Sequence, residues 1–143
     1  MSVEVRELTT SEEFRRAHPV MNELRTHLLD VDGYEAILEE MRRGGYRLFA
    51  AVDGDRYVAL AGIAIRTNFY YGRFLYVYDL ITSESERSKG HGKLLLDHLE
   101  ELARADGCQT IALSSGVQRA DAHRFYEDKM DYDRVSYVFK KGL

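Results

Sequence analysis

The run Arg87-Ser88-Lys89-Gly90-His91-Gly92-Lys93 combines two glycines with basic side chains at a junction between two patterned segments. Before it, Phe74 to Thr82 is aromatic and β-branched, as a buried strand would be. After it, Leu95, Leu99 and Leu102 recur at i, i+4 and i+7, and Leu96 and Ala103 widen them into a helix face. Glycines at a strand-to-helix turn let a ligand approach the main chain. The first helical N–H groups have no intrahelical acceptor and lie at the positive end of the helix dipole. Together they make an anion site suited to phosphate. Two common phosphate motifs do not fit. A P-loop needs Ser or Thr after Gly-Lys, where Leu94 stands, and a glycine at position 87, which is Arg. A dinucleotide fingerprint needs a third glycine at position 95, which is Leu.

Other groups able to move protons or charge are sparser. Asp79 sits inside the apolar strand, where alternation pairs it with Ile81 on one face and sets Tyr78 with Leu80 on the other. That placement suits a buried structural carboxylate. Glu84 and Glu86 fall in the approach to the glycine run and read as a solvated acidic turn. Tyr126 shares a helix face with Ala122 and Met130, the pattern of a core tyrosine. His18, His27, His98 and His123 have no metal-ligand spacing with one another, so no metal is expected. Cys108 is the only cysteine, which excludes an intrachain disulfide and a cysteine-cluster zinc site.

The elements that must hold these residues can be traced along the chain. Its 143 residues, 45% hydrophobic, suit one domain over 1–143. Net charge is -4 with both signs interspersed, which disfavours a nucleic-acid partner bound through a broad basic surface. No apolar run reaches the ~20 residues that span a bilayer, and the N-terminus lacks a signal-peptide pattern, so a cytoplasmic address is expected. Val3 to Leu8 alternates as a half-buried strand. Thr10 and Glu13 have capping-box spacing before a helix that Pro19 is expected to interrupt. Asp32 and Glu35 open a second helix, which Gly44-Gly45 ends. Tyr46 to Val52 and Tyr57 to Thr67 flank the turn Asp53-Gly54-Asp55-Arg56. A turn at Asn68 to Gly72 leads into the strand ending at Thr82. The glycine run and its helix follow, then a short strand Thr110 to Leu113, a helix Ala120 to Met130 and an alternating strand Arg134 to Lys140. The order β-α-α-β-β-β-α-β-α-β predicts an α/β (α+β) fold, a mixed, mostly antiparallel central sheet flanked by helices.

Arg87, Gly90 and Gly92 fill the three defined positions of the Arg/Gln-x-x-Gly-x-Gly/Ala signature, so the run resembles that of the GNAT (GCN5-related) N-acetyltransferases. A second segment, Arg119-Ala120-Asp121-Ala122-His123-Arg124-Phe125-Tyr126, resembles the family's Asn/Arg-x-x-Ala-x-x-Phe-Tyr helix start at the expected distance. The similarity is clearest from Tyr71 to Leu143. Asp131-Tyr132 departs from the family's usual Gly-Phe, and Asp tolerates the left-handed turn this requires.

The resemblance implies a single-domain acyl-CoA N-acyltransferase fold and direct acetyl transfer from acetyl-CoA to a primary amine in a ternary complex, without metal. It implies that backbone amides from Ser88, Lys89, Gly90, His91, Gly92 and Lys93 hold the pyrophosphate, with Arg87 heading the motif. Lys89, Lys93 and the His91 imidazolium would add positive charge. Leu80, Ile81 and Thr82 would present the strand edge that bonds the pantetheine arm and the thioester carbonyl. Tyr126 becomes the expected general acid, since a phenol stays protonated at neutral pH. Asp79 becomes the expected base, with a water relay as its rival. The acceptor, a small-molecule or peptide amine, would lie among the N-terminal helices and Phe69-Tyr70-Tyr71. Acidic Asp30, Asp32, Glu39 and Glu40 suit a cationic amine. The alternating C-terminal strand is compatible with pairing in a homodimer. Two rivals share these motifs: a non-catalytic acyl-CoA-binding or sensing domain on the same fold, and an interaction module whose glycine run is a structural loop.

Overall fold

The computed structural model describes residues 2–25 and 30–143, which form two compact units, 1–112 and 113–143. The first contains β1 (Glu4–Leu8), α1 (Ser11–Leu24), α2 (Val31–Arg43), β2 (Arg47–Asp53), β3 (Arg56–Asn68), β4 (Gly72–Thr82) and α3 (His91–Ala105), and β5 (Thr110–Leu113) runs to its end. Spatial order equals chain order, β1-β2-β3-β4-β5. The ladders from β1 through β4 are antiparallel, as the short turns joining β2 to β3 and β3 to β4 require of those two pairs. Gly54, with φ +67°, forms the first of these turns, and Asn68 accepts the Tyr71 amide in the second (2.7 Å). Among the described residues no helix is long and apolar enough to cross a membrane.

Alternation along β2 separates the two faces of the sheet. Leu48, Ala50 and Val52 pack with Phe14, Ala17 and Met21 of α1 and Leu38 of α2. Phe49 points the other way and meets His98 of α3 with ring centroids 5.7 Å apart. The buried Leu95, Leu96 and Leu99 form the expected apolar stripe of α3.

Helix α1 begins with the predicted capping box: Glu13 N donates to Thr10 Oγ1 (3.2 Å) and Thr10 N to Glu13 Oε1 (3.0 Å). Contrary to expectation, Pro19 does not interrupt it. Phe14, Ala17, Val20 and Met21 bury one continuous face across the proline, and that packing overrides the lost hydrogen bond. Asp30 rather than Asp32 caps α2, accepting the Gly33 amide at 2.9 Å.

In the second unit, α4 (Ala120–Arg124) continues into a π-helical turn over Phe125–Lys129. Asp131 adopts the left-handed conformation (φ +60°), as anticipated for the residue replacing glycine. The expected strand from Arg134 to Lys140 does not form; residues 133–143 have no helix or strand, and Val135, Tyr137 and Phe139 are exposed. Alternation shows only how a segment would present its faces. A strand also requires a neighbour to pair with its backbone groups.

Candidate active site

The glycine run forms a loop ending at the N-terminus of α3. A short 3-10 turn (Glu84–Glu86) precedes it, Ser88 has φ +66°, and Gly90 is the N-cap at φ +84°. A Cβ on Gly90 would meet nothing within 4 Å, so glycine is needed here for its backbone conformation alone. No side chain caps the helix, and its first intrahelical bond runs from Leu94 N to Gly90 O (3.0 Å). The amides of His91, Gly92 and Lys93 therefore lead out of the helix end, an arrangement that fits a pyrophosphate.

The side chains around this turn differ from expectation. The His91 ring is buried, with Nε2 3.3 Å from Glu86 Oε1, so the imidazole is not exposed at the helix end as expected. Glu86 is no solvated acid. It is buried and also accepts from Arg56 (3.1 Å) and Lys89 (3.4 Å). These partners, the His91 bond first, hold its carboxyl below the usual range. Lys93 pairs with Asp97 at 2.6 Å. Main-chain donors thus dominate the turn, and Glu86 ties its two ends to the β2–β3 hairpin.

Along β4, Leu80, Ile81 and Thr82 pair on one edge with Ala61, Leu60 and Ala59. On the other edge β5 starts beside Arg73, where Gln109 N donates to Arg73 O (3.2 Å). With four residues, β5 ends before it could reach Leu80. That edge of β4 can bond an extended ligand arm, as a sheet edge bonds another strand.

Asp79 occupies the best-connected position. Gly62 faces Asp79 and Ile63 faces Val77, so Tyr78 is an extra residue in β4. This bulge breaks the alternation expected for the strand. Tyr78 and Asp79 now line the same cavity instead of facing opposite ways. Asp79 Oδ1 accepts from Arg25 Nη2 (2.9 Å) and Nε (3.2 Å), and Oδ2 accepts the Tyr46 hydroxyl (2.8 Å). Burial, then the Asp79 charge, raises the Tyr46 pKa well above the ordinary tyrosine value, so Tyr46 acts as a donor. The Tyr46 phenol reaches Asp79 by crossing Gly62, where a Cβ would lie 1.7 Å from its oxygen. Neither Arg25, Tyr46 nor Gly62 was singled out from sequence. A lone glycine inside the apolar strand Tyr57 to Ile65 was the available signal, because it marks a bulge or a close approach.

The cavity of about 280 Å³ beside Asp79 is lined by Met21 and Arg25 of the α1 end, residues 34, 37, 38 and 41 of α2, and Tyr46, Leu48 and Tyr78. Its α2 wall is a helical stripe at i, i+3, i+4 and i+7. Of the acidic groups expected to attract a cation, Asp32 pairs with Arg15, Glu39 with Arg42 and Asp30 caps its helix, while Glu40 is exposed and outside the cavity lining. Phe69 and Tyr70 are fully exposed and Tyr71 packs on Phe74, so none of the three lines the cavity.

In the second unit Tyr126 is buried within the π-helical turn, its ring 5.5 Å from Phe125 and 6.0 Å from Tyr132. Burial raises its pKa, opposed by Arg119, so the phenol stays protonated.

The family model of the acetyltransferase (GNAT) family matches residues 5–132. The chain belongs to the GNAT family. With membership comes the N-acetyltransferase class of enzyme. The chain is 42% identical over 142 residues to uncharacterized N-acetyltransferase YhdJ of Bacillus subtilis (strain 168), covering 99% of both. It is 28% identical to the aminoalkylphosphonate N-acetyltransferase of Salmonella typhimurium, over 94% of this chain and 88% of that one. The fold matches aminoglycoside N-acetyltransferase AAC(6')-Iy in complex with CoA at TM-score 0.86 and 14% identity, over 99% of this chain and 95% of that one. The α/β sheet and the GNAT resemblance read from sequence are thereby established.

Proposed function

We propose that this GNAT enzyme uses acetyl-CoA and acetylates a primary amine by direct attack in a ternary complex. The observation that carries this is the uncapped, Gly90-opened N-terminus of α3, which follows the strand bearing Asp79. Acetyl-CoA supplies the thioester. Amides from Ser88 to Lys93 hold its pyrophosphate, and the β4 edge at Leu80, Ile81 and Thr82 aligns its arm. One N–H of that edge stabilises the developing oxyanion, a contribution of roughly 3 kcal/mol in other enzymes.

An amine arriving as ammonium must lose a proton before it attacks. Asp79 takes that proton: Oδ1 already accepts twice from Arg25, while Oδ2 has a second acceptor site beyond the one used by the Tyr46 hydroxyl. Tyr126, kept neutral by burial, returns a proton to the departing thiolate. Cys108 has no part, since burial pushes its thiol upward and away from a reactive thiolate. The family match over 5–132 spans both units and supports one catalytic domain.

The test is calorimetric titration with acetyl-CoA beside a thiol-release assay across an amine panel. Tyr126→Phe should bind acetyl-CoA as the parent does and lose about a hundredfold in kcat. An unchanged kcat removes Tyr126 from the chemistry.

A further inference from the structure

We infer that the acceptor is a compact monoamine with an apolar or aromatic body, of the arylalkylamine type, and that polycationic and anionic amines are poor substrates. This rests on the transferase reading above and names the substrate class of the same site. The cavity volume of about 280 Å³ lies at the small end of ligand pockets, which holds a compact molecule rather than an oligosaccharide. Met21, Ile37, Leu38, Met41 and Leu48 form half of its described wall, and methionines adapt to irregular apolar shapes. Tyr34, Tyr46 and Tyr78 add ring faces and edges.

The polar groups of this wall already have protein partners. The Tyr34 hydroxyl donates to Phe14 O (3.0 Å), and Tyr46 donates to Asp79. The Tyr78 hydroxyl accepts from Arg66 Nε (3.2 Å). Arg25 and Asp79 neutralise one another. Among the described lining residues a second ammonium would meet no carboxylate besides Asp79, and burying an unpaired charge is strongly unfavourable. Glu40 of α2 is exposed and outside the stripe that lines the cavity. An anionic amine would bring its charge into the same apolar wall, where the Arg25 guanidinium is already engaged by Asp79. For a monoamine the same surroundings help: desolvation lowers the pKa of the ammonium and favours the neutral nucleophile.

The test compares 2-phenylethylamine, spermidine, kanamycin and aminomethylphosphonate as acceptors with acetyl-CoA. Phenylethylamine should exceed the others in kcat/KM by roughly tenfold or more. Ile37→Glu, at a half-exposed position on the cavity rim, should shrink its advantage over spermidine. Preference for spermidine, kanamycin or aminomethylphosphonate overturns the inference. If no amine is acetylated, the transferase reading fails, and NMR titration then decides the pocket separately. Shifts of the Met21 and Met41 methyl signals with phenylethylamine, and not with spermidine, support it. No such shift, or the reverse preference, overturns it.

Discussion

The turn at Gly90 and the cluster around Asp79 sit at opposite ends of one segment, and they are built differently. The turn works through its main chain. Its requirements are a positive φ at Gly90, a helix that starts there and a strand before it, all within about twenty residues. The Asp79 cluster works through side chains from four separate elements: Arg25 at the end of α1, Tyr46 before β2, Gly62 in β3 and Asp79 in β4. Under the proposed function the first kind of site holds a constant ligand fragment with generic donors. The second shapes the cavity where the variable acceptor is expected, so substitutions there should alter what is acetylated and leave the proposed anion site as it is.

That division can be broken experimentally. The largest expected effect is from Asp79→Asn, which removes the proposed base and should lower kcat/KM by about a hundredfold and abolish the acidic limb of the pH–rate profile. An unchanged profile assigns the proton to a water relay. Next is Gly90→Val. A β-branched residue at φ +84° carries roughly 1–3 kcal/mol of strain, so acetyl-CoA should bind about tenfold to a hundredfold more weakly in calorimetry. The KM for amine should hold.

Gly62→Ala is the mirror case. The new methyl displaces the Tyr46 phenol from Asp79, raising the amine KM and lowering the thermal midpoint by an overpacking penalty of about 1–3 kcal/mol, while acetyl-CoA affinity stays as it was. Equal losses of both ligands in either variant would erase the distinction.

The smallest effect concerns Glu86. Its folded pKa lies below the ordinary 4.5, so its stabilisation is present above that value and is lost as pH falls through the folded pKa. Urea midpoints of the parent and Glu86→Gln should converge as acid is added. A constant gap would show that packing, not charge, accounts for the difference.

The same contrast explains what could be read from the chain. Gly90, Gly92 and the α3 stripe were legible because local conformation and a single period specify them. The capping box at Thr10 and the turn at Gly54 were legible for the same reason. Asp79 was visible as a charge in an apolar strand, but its orientation was not. The Tyr78 bulge arises from register against β3, and period-two reasoning assumes no such insertion. Arg25 and Tyr46 could not be nominated because their partners lie 54 and 33 positions away. His91 and Glu86 looked like exposed loop charges, and only the fold buries them together. The unformed strand at 134–140 shows the converse: a correct pattern with no ladder to join.

Direct transfer is tested most directly by initial rates of thiol release with acetyl-CoA and the best acceptor varied against each other. A ternary complex predicts double-reciprocal lines that intersect. Parallel lines would mean an acetyl-enzyme formed before the amine arrives, contradicting both direct attack and the exclusion of Cys108.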